Sequence, residues 1–265
     1  MTNLTNDQNG AAISRAAALD LIKAADSILT TDLSVEAGKA RIFGAIYSWW
    51  RLVCRTSEAV LLLTEQGFTA EVGPLMRNIF NHAYAIHWLA DNGDAAIEAL
   101  AAKDADDREK LCKKLEDTGW VRAAEFRAEL DRQTAAQPTA PVRTPTEQAL
   151  HGKLVHELRN VFDMLDHYGS PDLYPVYAHL SALSHTSGLT ARLYLEQADD
   201  GTVQIRRTAI DLGAHADVVQ VALSLLQVAT VVSPMLSGDP LRAAIDQATA
   251  DLGVAGVQLL PVRVK

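Results

Sequence analysis

A chain of 265 residues, 48% apolar and 22% charged, can bury a core without disulfide or metal staples, and its composition is not that of a disordered segment. Its net charge of −9 and pI near 5.3 argue against a general nucleic-acid-coating surface while leaving room for a local basic cleft. The two cysteines, Cys54 and Cys112, form no CxxC pair and suit a reducing, cytoplasmic compartment.

The opening "MTNLTNDQNG" is a polar arm over residues 1–10. It has no basic stretch followed by an apolar run, so no signal peptide is expected. "AAISRAAALDLIKAADSILTT" carries apolar residues at helical spacing and predicts a first helix. A second opens in "LSVEAGKA", with Ser34 as cap, and runs to Gln66, where Gly67 stops it. Thr69 and Pro74 mark the start of a third, which ends near Asp91 in "DNGD".

From Asp94 to Gln133 acids and bases interleave with sparse Leu and Ala, the pattern of surface helices with one apolar seam. Residues 134–146 hold three prolines in little apolar content and read as a flexible loop. Helix resumes at Thr146 or Glu147 and runs to Gly169, "SPDLYP" turns the chain, and a short helix ends at Gly188. The apolar period then changes to two on either side of "DDG", which predicts a β-hairpin around residues 191–208. Residues 214–234 form a long apolar helix. Its Gln220, Ser224, Gln227 and Pro234 fit a core helix better than a membrane span, so no membrane association is expected. "DPLRAAIDQATADLG" is a last amphipathic helix, and "VQLLPVRVK" an arm or edge strand. The expectation is one all-α domain over residues 1–265, a multi-helix bundle with one small hairpin.

Eight histidines in a bundle invite a metal, but no Glu-x-x-His occurs, and "HELRN" has Asn160 where a zincin helix needs its second histidine. Signatures of serine hydrolases and nucleotide binders are missing as well, so no metal or other cofactor is expected. The conspicuous stretch is "MRNIFNH", residues 76–82, which sets an arginine, two asparagines and a histidine among buried-type residues. On a helix Arg77, Asn81, Tyr84 and Trp88 share one stripe, and Asn78 and His82 lie on the next. A buried guanidinium needs partners for its donors, so the plain account is a structural polar cluster.

Two resemblances sharpen this. Arg77-Asn78-x-x-x-His82 is similar to the Arg-polar-x-x-x-His motif of the HEPN superfamily, helical proteins many of which are metal-independent ribonucleases of toxin and antiviral systems. The resemblance implies Arg77, Asn78 and His82 as catalytic residues acting on RNA at a homodimer interface. A remaining apolar face on the helix over residues 214–234 agrees with a homodimer. More broadly, "EQGFTAEVGPLMRNIFNHAYAIHWLADN" and "YPVYAHLSALSHTSG" look like an uncharacterised bacterial all-helical family that pairs an R-x-x-x-E helix with a later S-x-x-x-H segment. Here Asn81 stands in for the glutamate, while Ser181 and His185 fit. This likeness implies that His185 lies near Arg77, in a pocket with Asn81, Tyr84, Trp88, Ser181 and Ser184. Such a pocket serves a ribonuclease, a small-molecule site with aromatic walls, or a scaffold for an interaction module.

Overall fold

The computed structural model describes residues 8–30, 33–136, 142–168, 171–197, 201–210 and 214–255. Among them are nine α-helices and one two-stranded antiparallel hairpin. The chain packs as two compact units, residues 1–91 with 165–265, and residues 92–164.

In the first unit α1 (Gln8–Leu29) packs on α8 (Ala214–Val232) and α9 (Arg242–Asp251), and α2 (Ala40–Glu65) packs on α1 and α8. The apolar spacing read from the sequence produces this directly. Ala17, Ala18, Leu21 and Ala25 are buried along one face of α1, and Phe43, Ile46, Trp50 and Val53 along one face of α2. The span Ala216–Met235, with a mean hydropathy of 1.7, is long and apolar enough to cross a membrane, and 78% of it is buried inside the protein. α3 (Gly73–Asp117) begins in this unit, followed later by α7 (Tyr174–Ser184) and the hairpin of β1 (Leu195–Gln197) and β2 (Val203–Ile205), in which Glu196 faces Gln204.

In the second unit the ion pairs expected of a charged surface are present. Arg127 of α4 (Ala123–Ala135) bridges Glu109 at 2.6 Å and Glu116 at 2.9 Å, and Arg143 meets Glu98 at 2.9 Å. α5 (Pro145–Arg159) starts on a full capping box, in which Thr144 and Glu147 each bond the other's backbone. This cap sets the start one residue before the expected one, with Pro145 at the first helical position.

Several boundaries differ from expectation for identifiable reasons. Ser34 does not cap α2. It bonds the Ser237 hydroxyl at 3.2 Å, beside an antiparallel bridge between Val35 and Leu236, and the helix begins only after Gly38. The backbone of Gly93 leaves helical values at φ 57°, ψ −133°, inside the "DNGD" break, although helical hydrogen bonding resumes at once on its far side. The helix expected from Glu147 to Gly169 is interrupted at Asn160, whose side chain accepts from the Phe162 amide and donates to Asp163, and α6 (Val161–His167) restarts there. The last helix before the hairpin stops at Ser184, four residues before Gly188, because the following residues form a side-chain-bonded turn. The terminal arm up to residue 7, residues 137–141 of the proline-rich loop and residues 256–265 lie outside the described residues.

Candidate functional site

The start of α3 and the last turn of α7 come close enough at Gly73 and Leu183 for backbone-to-side-chain contact, and Gly73 is why. A Cβ built on Gly73 would stand 2.6 Å from Leu183 Cβ and 2.8 Å from its Cδ1, so only a glycine admits this crossing. One helical turn beyond Gly73, Arg77 reaches α7. Its Nη1 lies 3.0 Å from His185 Nε2, its Nη2 donates to the Tyr177 hydroxyl at 3.1 Å, and its guanidinium carbon sits 5.4 Å from the Tyr177 ring centroid. Arginine can only donate, so His185 Nε2 is the acceptor and carries no proton in this arrangement. Among the described residues no carboxylate pairs with Arg77, and its Nε is buried without a hydrogen-bond partner.

The position of His185 is itself built. It follows the last turn of α7 in extended backbone, at φ −129° and ψ 162°. A small hydroxyl network then locks the chain: Thr190 donates to the His185 carbonyl at 3.3 Å, the Ser187 amide donates to Thr190 at 2.9 Å, and the Ser187 hydroxyl reaches back to the Ala182 carbonyl at 2.8 Å. Tyr177 is aligned by aromatic neighbours, with Phe80 at 6.3 Å and Tyr174 at 5.9 Å between ring centroids. The imidazole is exposed and the guanidinium half-buried, so the cluster opens to solvent.

The other residues singled out in the sequence divide clearly. His82 is half-buried, donates from Nδ1 to the carbonyl of Asn78 at 2.8 Å and stands edge-on to Trp49 at 6.0 Å, so its hydrogen bond runs to its own helix. The buried side-chain carbonyls of Asn78 and Asn81 have no hydrogen-bond partner. Ser184 turns back onto the Leu180 carbonyl at 2.7 Å, and Ser181 is half-buried on α7. Trp88 is wholly buried and Tyr84 nearly so, which makes both of them core rather than pocket wall. Tyr177 and the Ser187–Thr190 turn were not singled out. Tyr177 lies four residues before Ser181 and eight before His185, one helical stripe, and that spacing is the signal that points to it. Among the described residues no three His, Cys, Asp or Glu side chains gather as a metal would need.

A second feature of the same unit is a cavity of about 500 Å³ bounded by the start of α3, α7 and the first turns of α8. Its walls include Met76 and Leu180, next to Arg77 in sequence and on the stripe of α7 adjoining Tyr177.

No curated protein and no solved structure matches the chain. A family model does match, over residues 43–202, a span that includes most of α2, Arg77 and its helix, Tyr177, His185 and the first strand of the hairpin. The chain therefore belongs to DUF5677, a family of unknown function.

Proposed function

We propose that this protein is a metal-independent ribonuclease whose phosphate-handling group is Arg77 and whose proton acceptor is His185. One observation carries the reading: a guanidinium free of any carboxylate among the described residues holds an unprotonated imidazole nitrogen at 3.0 Å and a phenol at 3.1 Å, at the surface. A phosphodiester docking on Arg77 takes over the donors that now serve His185 and Tyr177, since bidentate phosphate contacts are the stronger ones. That exchange releases His185 Nε2 to accept the proton of a ribose 2′-hydroxyl. The 2′-oxygen attacks phosphorus, the bond to the 5′-oxygen breaks, and that oxygen takes a proton from the Tyr177 hydroxyl on the opposite side of the guanidinium. The products are a 2′,3′-cyclic phosphate and a 5′-hydroxyl end, and the proton on His185 returns to Tyr177 through solvent. Arg77 offsets the charge that builds on the non-bridging oxygens.

The resemblance to HEPN ribonucleases through Arg77, Asn78 and His82 supports the same reaction class, although His82 is engaged with the Asn78 carbonyl of its own helix. Such an enzyme works as a homodimer in the cytoplasm, where two copies of the Arg77–His185 pair line one cleft. The test is RNA cleavage in EDTA with wild type, Arg77→Ala, His185→Ala and His82→Ala, each checked for folding by circular dichroism. Activity should survive chelation, and both Arg77→Ala and His185→Ala should lose on the order of 10²-fold or more. Absence of cleavage by the wild type, or full activity in folded His185→Ala, refutes the assignment. Light scattering that gives a monomer at high micromolar concentration refutes the shared cleft.

A further inference from the structure

The cavity beside the Arg77 cluster has a different chemistry. Met76, Val176, Leu180, Leu183, Val219 and Leu223 wall it with apolar side chains from three separate helices. At about 500 Å³ it is in the range of small-molecule sites, which are mostly apolar with a few placed polar groups. Among the described residues no lysine or arginine lines the space, and the one carboxylate there, Asp217, is already engaged within the protein. A charged head group of either sign would therefore leave water with no spare counter-charge to meet it, and burying an unpaired ion is costly. An uncharged ligand escapes that penalty. The cavity does offer it a hydrogen bond: Gln220 of α8 donates its amide nitrogen to Ser224 at 3.3 Å, which leaves the amide oxygen as an acceptor. Thr69, just before α3, adds a hydroxyl, and His179 on α7 an imidazole.

We propose that this cavity binds a small uncharged alcohol, with its alkyl or aryl body between α3, α7 and α8 and its hydroxyl donating to the Gln220 amide oxygen. The inference does not depend on the ribonuclease reading, because it uses none of the groups around Arg77. The two sites nevertheless share a helix. Leu180 and Leu183 of α7 wall the cavity, while Tyr177 on the same helix holds Arg77. A body wedged between α3 and α7 thus bears on the helix crossing at Gly73.

The probe for the test is N-phenyl-1-naphthylamine, an uncharged dye whose fluorescence rises in apolar surroundings, bound to the full chain. Decanol, decyl methyl ether, decanoate and decylamine then compete with it, each below its micellar concentration. They share a chain and differ at the head group. Saturable probe binding is expected, with decanol displacing it at concentrations on the order of tenfold lower than either charged competitor. Decanol should also act at concentrations roughly threefold or more below the ether, the effect of one hydrogen bond. Gln220→Leu should keep probe binding and erase the preference for alcohol over ether. Val176→Trp, at a lining position that is 40% exposed, fills the space with little risk to the core and should weaken probe binding on the order of tenfold. Ala216→Phe is the second filling variant, should Val176→Trp prove misfolded by circular dichroism. No saturable binding to the wild type, or binding unchanged in a folded filling variant, overturns the site. Decanoate or decylamine competing as well as decanol overturns the uncharged class. A preference for alcohol over ether that persists in folded Gln220→Leu overturns the assigned hydrogen bond.

Discussion

Gly73→Ala is the most revealing single perturbation of this fold. The added Cβ would lie 2.6 Å from Leu183 Cβ, 2.8 Å from Cδ1 and 3.2 Å from Cγ. Ordinary carbon contacts are at about 3.5–4.0 Å, so the overlap is on the order of 1 Å. Rotating the leucine side chain moves Cδ1 and Cγ but not Cβ, so α7 itself must withdraw. Overpacking of this kind costs about 1–3 kcal/mol. Against it stands the gain of alanine over glycine in a helix, at most about 1 kcal/mol and less in the first turn. The net effect is a loss of about 1–2 kcal/mol.

The rescue discriminates between explanations. Leu183→Ala keeps the offending Cβ and should restore little, whereas Leu183→Gly removes it, so Gly73→Ala should become neutral or stabilising in that background. Urea denaturation followed by tryptophan fluorescence reads the cycle, with Trp49, Trp50 and Trp88 all in the affected unit. An equal cost of Gly73→Ala in the wild type and in the Leu183→Gly variant, or no cost in either, refutes the close-crossing argument. Withdrawal of α7 also carries His185 away from Arg77, so cleavage should fall in Gly73→Ala and recover with the rescue.

Other expectations follow from single contacts. Arg77→Lys should fail to replace arginine, since one ammonium cannot hold His185 and Tyr177 at 3.0 and 3.1 Å together; RNA cleavage should drop nearly as far as in Arg77→Ala. Burial pushes the Cys54 thiol up to about 12, ahead of a smaller opposing effect of Arg51. Its thiolate fraction at pH 8 is therefore about 10⁻⁴, and Ellman's reagent should not label Cys54 until the protein is unfolded. Because the folded state favours the protonated thiol, the stability that Cys54 contributes is intact below the ordinary thiol value of about 8.5 and is lost as pH rises from there toward 12, which urea midpoints across alkaline pH should show. Thr144→Ala removes one half of the capping box on α5 and should destabilise the second unit by about 1 kcal/mol in thermal melts. Trp88→Ala should cost about 3–5 kcal/mol of stability, as expected for a wholly buried indole and not for a ligand wall.

How much of this was legible beforehand differs from element to element. The helices and the hairpin were, because apolar period is written locally: the switch from 3.6 to 2 on either side of Gly201 marks the two strands. Helix ends were less so, since non-local partners decide them. Ser34 looks like a cap until Ser237, 203 positions away, takes its hydroxyl. The pairing of Arg77 with His185, 108 residues apart, was legible only through the likeness to a helical family, because no spacing rule joins two distant helices. Trp88 shows the opposite failure. Sharing a helical stripe with Arg77 placed it at the site, yet a stripe over about three turns passes from the surface into the core, and the indole ends wholly buried.

The two candidate sites are consequences of one arrangement. Gly73 lets α3 and α7 approach, and the residues that follow on α3 are then committed in pairs: Met76 turns its side chain to the cavity and Arg77 turns to α7. On α7 the same alternation puts His179, Leu180 and Leu183 on the cavity side and Tyr177 beside the guanidinium, which His185 meets from just past the helix end. A guanidinium that is half-buried, with one nitrogen unpartnered, is unfavourable in a fold that could have used a leucine there. The exposed contact to His185 offsets little of that penalty, and the Tyr177 hydroxyl at 3.1 Å and ring at 5.4 Å offset part of it. On the proposed function, a phosphate docking on Arg77 takes the donors and supplies the rest. On that ground Arg77→Leu should fold as well as the wild type in thermal melts, or better, while losing RNA cleavage; an unfolded Arg77→Leu would make the arginine a structural residue and remove the argument for a phosphate site.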